Sequence, residues 1–258
     1  MGSLTRAALV TLPQAVSEAT AASVAELFAV GRALHDSPAL VRALGDDFAD
    51  PKTRATLVDS VFGKASAGTM KLLSHLVASS WSEPADLLEG VEEAGIRLAA
   101  VTAKGDLAGE LLSVDRVIKS QPDVQLALSG KRAPAEVKLT MVNTLFGKKI
   151  SAEALAIVSH LVTQPRNRRI TESVTRAAGI VCDQRGEGLA EVRVAHAIGD
   201  AQLAKLSTML EAQYGRPHYM DQVVDPAMVG GIRIRVGDHV MDQSVATQLA
   251  DMKRQLAS

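Results

Sequence analysis

Much of this chain is written twice. Residues 26–100, beginning ELFAVGRALHDSPALVRAL, align with residues 110–184, beginning ELLSVDRVIKSQPDVQLAL, at an offset of 84. Phe62-Gly63-Lys64 answers Phe146-Gly147-Lys148, Ser74-His75-Leu76-Val77 answers Ser159-His160-Leu161-Val162, and Ala94-Gly95-Ile96 answers Ala178-Gly179-Ile180. One residue inserted near Lys149 moves the middle block to an offset of 85, and the offset later returns to 84. Identities spread over the whole span mark a duplicated unit, so whatever the first copy folds into, the second should fold into as well. The repeat alone is compatible with one elongated body and with two separate bundles.

The repeated unit reads as helical. Hydrophobic residues make up 47% of the 258 but aromatics only 3%, so the apolar content is mostly Ala, Val and Leu, the composition of packed helices. Pro13 suits the first turn of a helix that carries Val16, Val24, Leu27, Phe28 and Leu34 along one face. Asp50-Pro51 opens another, with Leu57, Val58, Val61 and Phe62 as its core stripe and Gly63 placed to end it. Ser66 caps a third whose buried line runs through Met70, Leu73, Leu76 and Val77. Ser82-Glu83-Pro84 starts a fourth bearing Leu87, Leu88, Val91 and Leu98. No strand pattern interrupts this half.

After the polar break Gln184-Arg185-Gly186-Glu187-Gly188 the periodicity changes. Val192 and Val194 alternate with Glu191 and Arg193 as a strand; Asp200 caps a helix with Leu203, Leu206 and Leu210 in its stripe, ending at Gly215; Arg216 to Val224 reads as a second strand. Ile232, Ile234 and Val236 alternate with Arg233 and Arg235, the period of a strand apolar on one face and charged on the other. Gly237-Asp238 turns the chain, Val240 and Met241 carry it back, and Asp242 and Ser244 offer caps to a last helix with Val245, Leu249, Met252 and Leu256 at helical spacing and Lys253 and Arg254 near its end. The predicted fold class is α+β, mostly α: helical copies over 1–105 and 106–186, then a small α/β domain over 187–258.

A net charge of −1 and a pI near 6.6 leave no electrostatic footprint for nucleic acid. No stretch reaches the roughly 18 apolar residues that a membrane span requires, and the opening MGSLTRAALVTLPQAVSEAT makes a poor secretory signal, which predicts a soluble intracellular protein. A single cysteine, Cys182, excludes an internal disulfide or a cysteine-built zinc site and reads as a small core residue. Gly230-Gly231 precedes a strand and lacks a following Lys-Ser/Thr, so it reads as a close backbone approach at a strand start and not as a phosphate loop. His75 and His160 occupy equivalent repeat positions without a second ligand at metal spacing, which favours packing or surface roles. Arg166-Asn167-Arg168-Arg169 reads as a solvated helix start in preference to a nucleic-acid patch, and Asp225-Pro226 as a turn. No nucleophile, base and orienting group occur together, so no catalytic residue, cofactor or metal site is expected.

One stretch carries a family resemblance. The order Asp225, Gly230-Gly231, the alternating strand, Gly237-Asp238, Asp242-x-Ser244 and a Leu- and base-rich tail containing Leu249 resembles the close of the delta subunit of F-type ATP synthases, called the oligomycin-sensitivity-conferring protein in mitochondria. Gln243 departs from the glycine usual there. Asn167-x-Arg169 resembles an element of the same family, absent from the first copy at Ser80-Trp81-Ser82, and the doubled helical region is similar to delta subunits of actinobacterial type. The resemblance implies a non-catalytic peripheral-stalk subunit on the cytoplasmic face of the cell membrane, supporting proton-driven ATP synthesis. Its helical region would receive alpha-subunit N-terminal helices and its closing domain the end of the membrane-anchored b stalk, with Asn167, Arg169, Leu249 and Met252 as candidate contacts. The competing class is a helical-repeat adaptor for nucleic acid or another protein.

Overall fold

A computed structural model of the chain describes residues 2–19, 22–130, 133–166 and 168–244. These form two compact units, Met1–Gln184 and Arg185–Ser258. The first holds helices α1 (Ser3–Glu18), α2 (Val24–Asp36), α3 (Pro38–Gly45), α4 (Pro51–Phe62) and α5 (Ala67–Ala78), then a 3-10 turn (Pro84–Asp86) leading into α6 (Leu87–Thr102). It continues through α7 (Leu107–Ser120), α8 (Pro122–Ser129), α9 (Ala135–Phe146), α10 (Ala152–Thr163) and α11 (Ile170–Gln184). Local chemistry explains several starts: Asp50 accepts the Thr53 N–H at 3.3 Å, Ser66 that of Thr69 at 3.4 Å, and Ser151 that of Ala154 at 3.2 Å.

Two expectations for these helices need correction. Pro13 lies inside α1 and does not begin a helix, and the expected run from Val16 to Leu34 is split between α1, which ends at Glu18, and α2, which starts at Val24. An interior proline costs about 3 kcal/mol, but Leu9, Leu12 and Val16 on the same helix are buried at roughly 1.5–3 kcal/mol each, so packing wins. Val61, expected in the core, is 48% exposed. Helix α4 packs chiefly on α3 and α5, at the margin of the unit, and its narrow inward face is taken by Arg54 and Val58.

The duplication survives in three dimensions and is larger than the alignment. Helices α2–α6 correspond to α7–α11, and moving Ser3–Glu18 by 84 positions lands on Leu87–Thr102, so α1 corresponds to α6. Contacts follow the same shift: α1 packs on α5 and α6 as α6 packs on α10 and α11, and α2 packs on α6 as α7 packs on α11. The unit is therefore six helices, and α6 is at once the last helix of the first copy and the first of the second. A helix used twice has little free surface, and every residue from Gly90 to Ala100 is buried. Hydrogen bonds between helices repeat too. The Ser66 N–H and hydroxyl donate to Glu26 Oε2 at 3.1 and 2.6 Å, and those of Ser151 donate to Glu110 Oε2 at 3.0 and 2.5 Å. Arg54 donates to the Val77 carbonyl at 2.8 Å, and Lys138 to that of Val162 at 3.4 Å.

The second unit is a four-stranded sheet in the order β2-β1-β3-β4, built from β1 (Gly188–Val194), β2 (His218–Val224), β3 (Gly231–Val236) and β4 (His239–Ser244). Helix α12 (Asp200–Tyr214) connects the parallel pair β1 and β2, while β3 runs antiparallel to both β1 and β4. Val192, Val194, Ile234 and Leu210 form its core, with Ile232 and Val236 against them, as the alternation requires. Gly237 at φ 57° opens the two-residue turn, and Gly215 at φ 72° ends α12. Asp200 is not a cap: Gly199 holds that position, Asp200 is already helical, and its carboxylate serves the positive helix end instead. The return after Gly237 is a full strand, so Asp242 stands inside the sheet and not at a helix start, and Ser244 is the last residue of that strand. Register pairs Arg233 with Asp242, and their ion pair holds the aspartate in the sheet. The expected last helix, with Val245, Leu249, Met252, Lys253, Arg254 and Leu256, falls outside the described residues.

Candidate functional site

The double use of α6 sets the chemistry of the helical unit. One side of α6 gives Leu87, Val91, Ala94 and Leu98 to the apolar core of the first copy. The other side faces the second copy, and there it carries Glu92 and Glu93 where the corresponding α1 carries buried Ala8 and Leu9. Buried carboxylates need partners. Glu92 has Arg166 Nε at 3.4 Å, Arg176 Nη1 at 3.4 Å, Arg168 Nη1 at 3.6 Å and His160 Nε2 at 3.5 Å. Glu89 pairs with Arg168, and Glu93 takes Arg97 at 2.7 Å and Arg176 at 3.2 Å. Arg97 reaches on to Asp183 at 2.9 Å and Gln184 at 3.3 Å. Burial by itself would raise the Glu92 pKa, but His160, Arg166 and Arg176 outweigh it and hold the carboxyl below its usual value. Burial dominates at His160 and lowers its pKa against the pull of Glu92, so the imidazole is neutral and the contact is not an ion pair at neutral pH.

This network corrects the expectation for the arginine run. Arg166 and Arg168 turn inward, at 12% and 27% side-chain exposure, and only Arg169 stands in solvent. Arg166 does so at φ 42°, an uncommon backbone region for a residue other than glycine. The motive for a nucleic-acid surface goes with it. The sequence reading missed Glu92, Glu93, Arg97, Arg176 and Asp183. A signal existed: two adjacent acids, Glu92 and Glu93, aligned with the apolar pair Ala8-Leu9.

The repeat also creates two equivalent grooves, one filled and one open. In the second copy the groove lies between α6 and α10. Helix α2 of the first copy fills it: the Phe28 ring stacks on His160 with centroids 4.4 Å apart and planes at 15°. That ring rests on Gly95, whose hypothetical Cβ would lie 2.5 Å from it, and Gly31 one turn later lets α2 come close to His160. In the first copy the matching positions lie between α1 and α5, with Thr11 for Gly95, Lys71 for Ala156 and His75 for His160. This groove, about 340 Å³, is lined by α1 and α5 alone, with Thr11, Gln14, Glu18 and Lys71 exposed and Leu72 buried at its floor. His75 Nε2 lies 3.0 Å from Thr11 Oγ1, and Lys71 pairs with Glu18 at 3.4 Å.

On the second unit, the sheet face opposite α12 is charged and internally balanced. Arg193 bonds Glu191 at 2.8 Å and lies 3.7 Å from Asp225; Arg233 pairs with Asp242; Arg235 donates to the Gly237 carbonyl at 3.1 Å. Gly231 at φ 85° begins β3, and Asp225 closes a turn by accepting the Ala227 N–H at 3.0 Å. Among the described residues no group of three or more His, Cys, Asp or Glu is placed to hold a metal, and no helix is long and apolar enough to cross a membrane.

A family model described as the ATP synthase delta (OSCP) subunit matches residues 94–256, well over half of the chain. The chain belongs to the ATP synthase delta (OSCP) family. It is 37% identical to an ATP synthase subunit delta of Leifsonia xyli across the whole of both chains. It is 33% identical to that of Thermobifida fusca over 90% of this chain and 88% of the relative. Among solved structures, a chain of the Toxoplasma gondii mitochondrial ATP synthase hexamer overlays at a TM-score of 0.40 with 19% identity, covering 66% of this chain and 98% of that one, a likeness too low to carry weight.

The delta-family match begins inside α6, the helix that opens the second copy. The first copy thus stands outside the family model yet inside the relatives, which match nearly end to end. Of the residues that carried the resemblance, the structure gathers Asp225, Gly230, Gly231, Gly237, Asp238 and Asp242 at β3, β4 and the turns beside them, with Ser244 closing β4. Arg169 lies far from these in the chain, on the helical unit. Asn167, Leu249 and Met252 fall outside the described residues.

Proposed function

We propose that this chain is a non-catalytic subunit of the peripheral stalk of a bacterial F-type ATP synthase, tying the catalytic head to the membrane-anchored stalk on the cytoplasmic face of the membrane. Family membership carries the reading. In it, the helical unit receives alpha-subunit N-terminal helices and the closing unit engages the end of the b stalk. The open α1–α5 groove supports the first contact, since the matching groove of the second copy already holds a helix, α2, by apolar and ring contacts. Helix-in-groove docking relies on such preformed clefts. A stator must also resist torque without yielding internally, and the charge network between the copies suits that demand.

The test is capture on immobilised peptides of the alpha N-terminus and the b C-terminal helix. The full chain should be retained on both, and retention on neither contradicts the proposal.

A further inference from the structure

We propose that the α1–α5 groove is specific for a helix bearing an aromatic residue followed three positions later by a small one, with the aromatic ring stacked on His75. This rests on reading that groove as a helix seat, and it adds what the seat recognises. His75 and His160 are the same residue of the repeated unit, on α5 and α10. At His160 the ligand is visible: Phe28 stacks on the imidazole, and Gly31 lets the helix carrying it come within reach, a Cβ there standing 3.4 Å from His160 Cε1. The filled groove therefore shows what this architecture accepts, an aromatic-x-x-small pattern on one helical face.

The open groove differs in ways that fix how a ring would sit. Thr11 replaces Gly95, and its hydroxyl lies 3.0 Å from His75 Nε2, so the floor on which Phe28 rests in the second copy is raised in the first. The ring must lie on the outward face of His75, above the Thr11 contact. His75 is only half-buried, and that face is within reach. Lys71 and Glu18 stand at the rim where the second copy has Ala156 and Thr102, which selects a partner helix that is polar outside its aromatic anchor.

Two probes test this on the full chain: a synthetic peptide of residues 23–36, which is α2 itself, and a peptide of the alpha-subunit N-terminal helix. Binding should move the His75 ring protons upfield in NMR spectra, the signature of a stacked ring. Replacing the peptide aromatic by alanine, or His75→Ala in the chain, should weaken binding about three- to ten-fold. If the alpha peptide binds without moving His75, or binds while carrying no aromatic residue, docking stands and the aromatic anchor is wrong. If the α2 peptide binds and moves His75 while the alpha peptide does not bind, the anchor stands and the partner is wrong. Binding of neither peptide overturns both.

Discussion

Glu92 is the residue on which the charge balance of the helical unit turns. With its side chain 2% exposed and three arginines around it, removing the carboxylate leaves buried cations uncompensated. Glu92→Ala should cost about 3 kcal/mol in urea unfolding, the lower end for a broken buried pair because Arg168 and Arg176 keep some water. A loss under about 1 kcal/mol would mean that the arginines re-solvate freely. Acid acts on the same cluster. The folded pKa of His160 lies below the ordinary 6.5, so from 6.5 down to that folded value the unfolded chain binds a proton that the folded chain refuses, and stability falls as pH falls. Glu92, held below its ordinary 4.5, contributes stability above 4.5 that is lost as pH drops through its folded value. His160→Gln should therefore flatten the decline of melting temperature between pH 7 and 5. The decline will not vanish, because burial lowers the His218 pKa in the same direction. An unchanged slope in the variant contradicts the assignment. None of this was legible in the arginine run itself: charge spacing along a chain says which residues are polar, and their partners here come from another helix more than seventy positions away.

At the scale of elements, legibility followed how local the cause was. Asp50 and Ser66 sit three residues from the N–H groups that they accept, so their helices were readable, as were the alternation of β3 and the turn at Gly237. Pro13 misled because its local penalty is outweighed by burial contributed by other helices, and Asp242 because its partner Arg233 sits on a neighbouring strand. The sharing of α6 was hidden for a similar reason. The face that α1 fills with Ala8 and Leu9 carries acids in α6, so the two helices do not look alike. The repeat nonetheless supports a paired prediction. Gly95 and Gly179 are equivalent in sequence, but a Cβ at Gly95 meets the buried Phe28 ring at 2.5 Å whereas one at Gly179 meets nothing within 4 Å. Gly95→Ala should destabilise by about 1–3 kcal/mol. Gly179→Ala should stabilise by roughly 0.5–1 kcal/mol through helix propensity, and calorimetry on both variants reads the sign. The same sign for both would contradict the seating of the Phe28 ring on Gly95.

For the whole molecule, one helix built into two cores predicts that the two copies cannot unfold separately. A fragment spanning residues 1–184 should melt in a single transition with coincident signals from helicity and from Trp81, which is buried in the first copy. Two transitions would mean that the copies are independent. The closing unit, with its own core and balanced sheet face, suits a second grip at the other end of the chain. In the proposed function one molecule holds the head and the stalk together. Native mass spectrometry of the full chain mixed with the alpha N-terminal peptide and the soluble part of b reads this out. A complex containing all three is predicted; alpha and b fragments that displace each other, or that leave the chain alone, would contradict it.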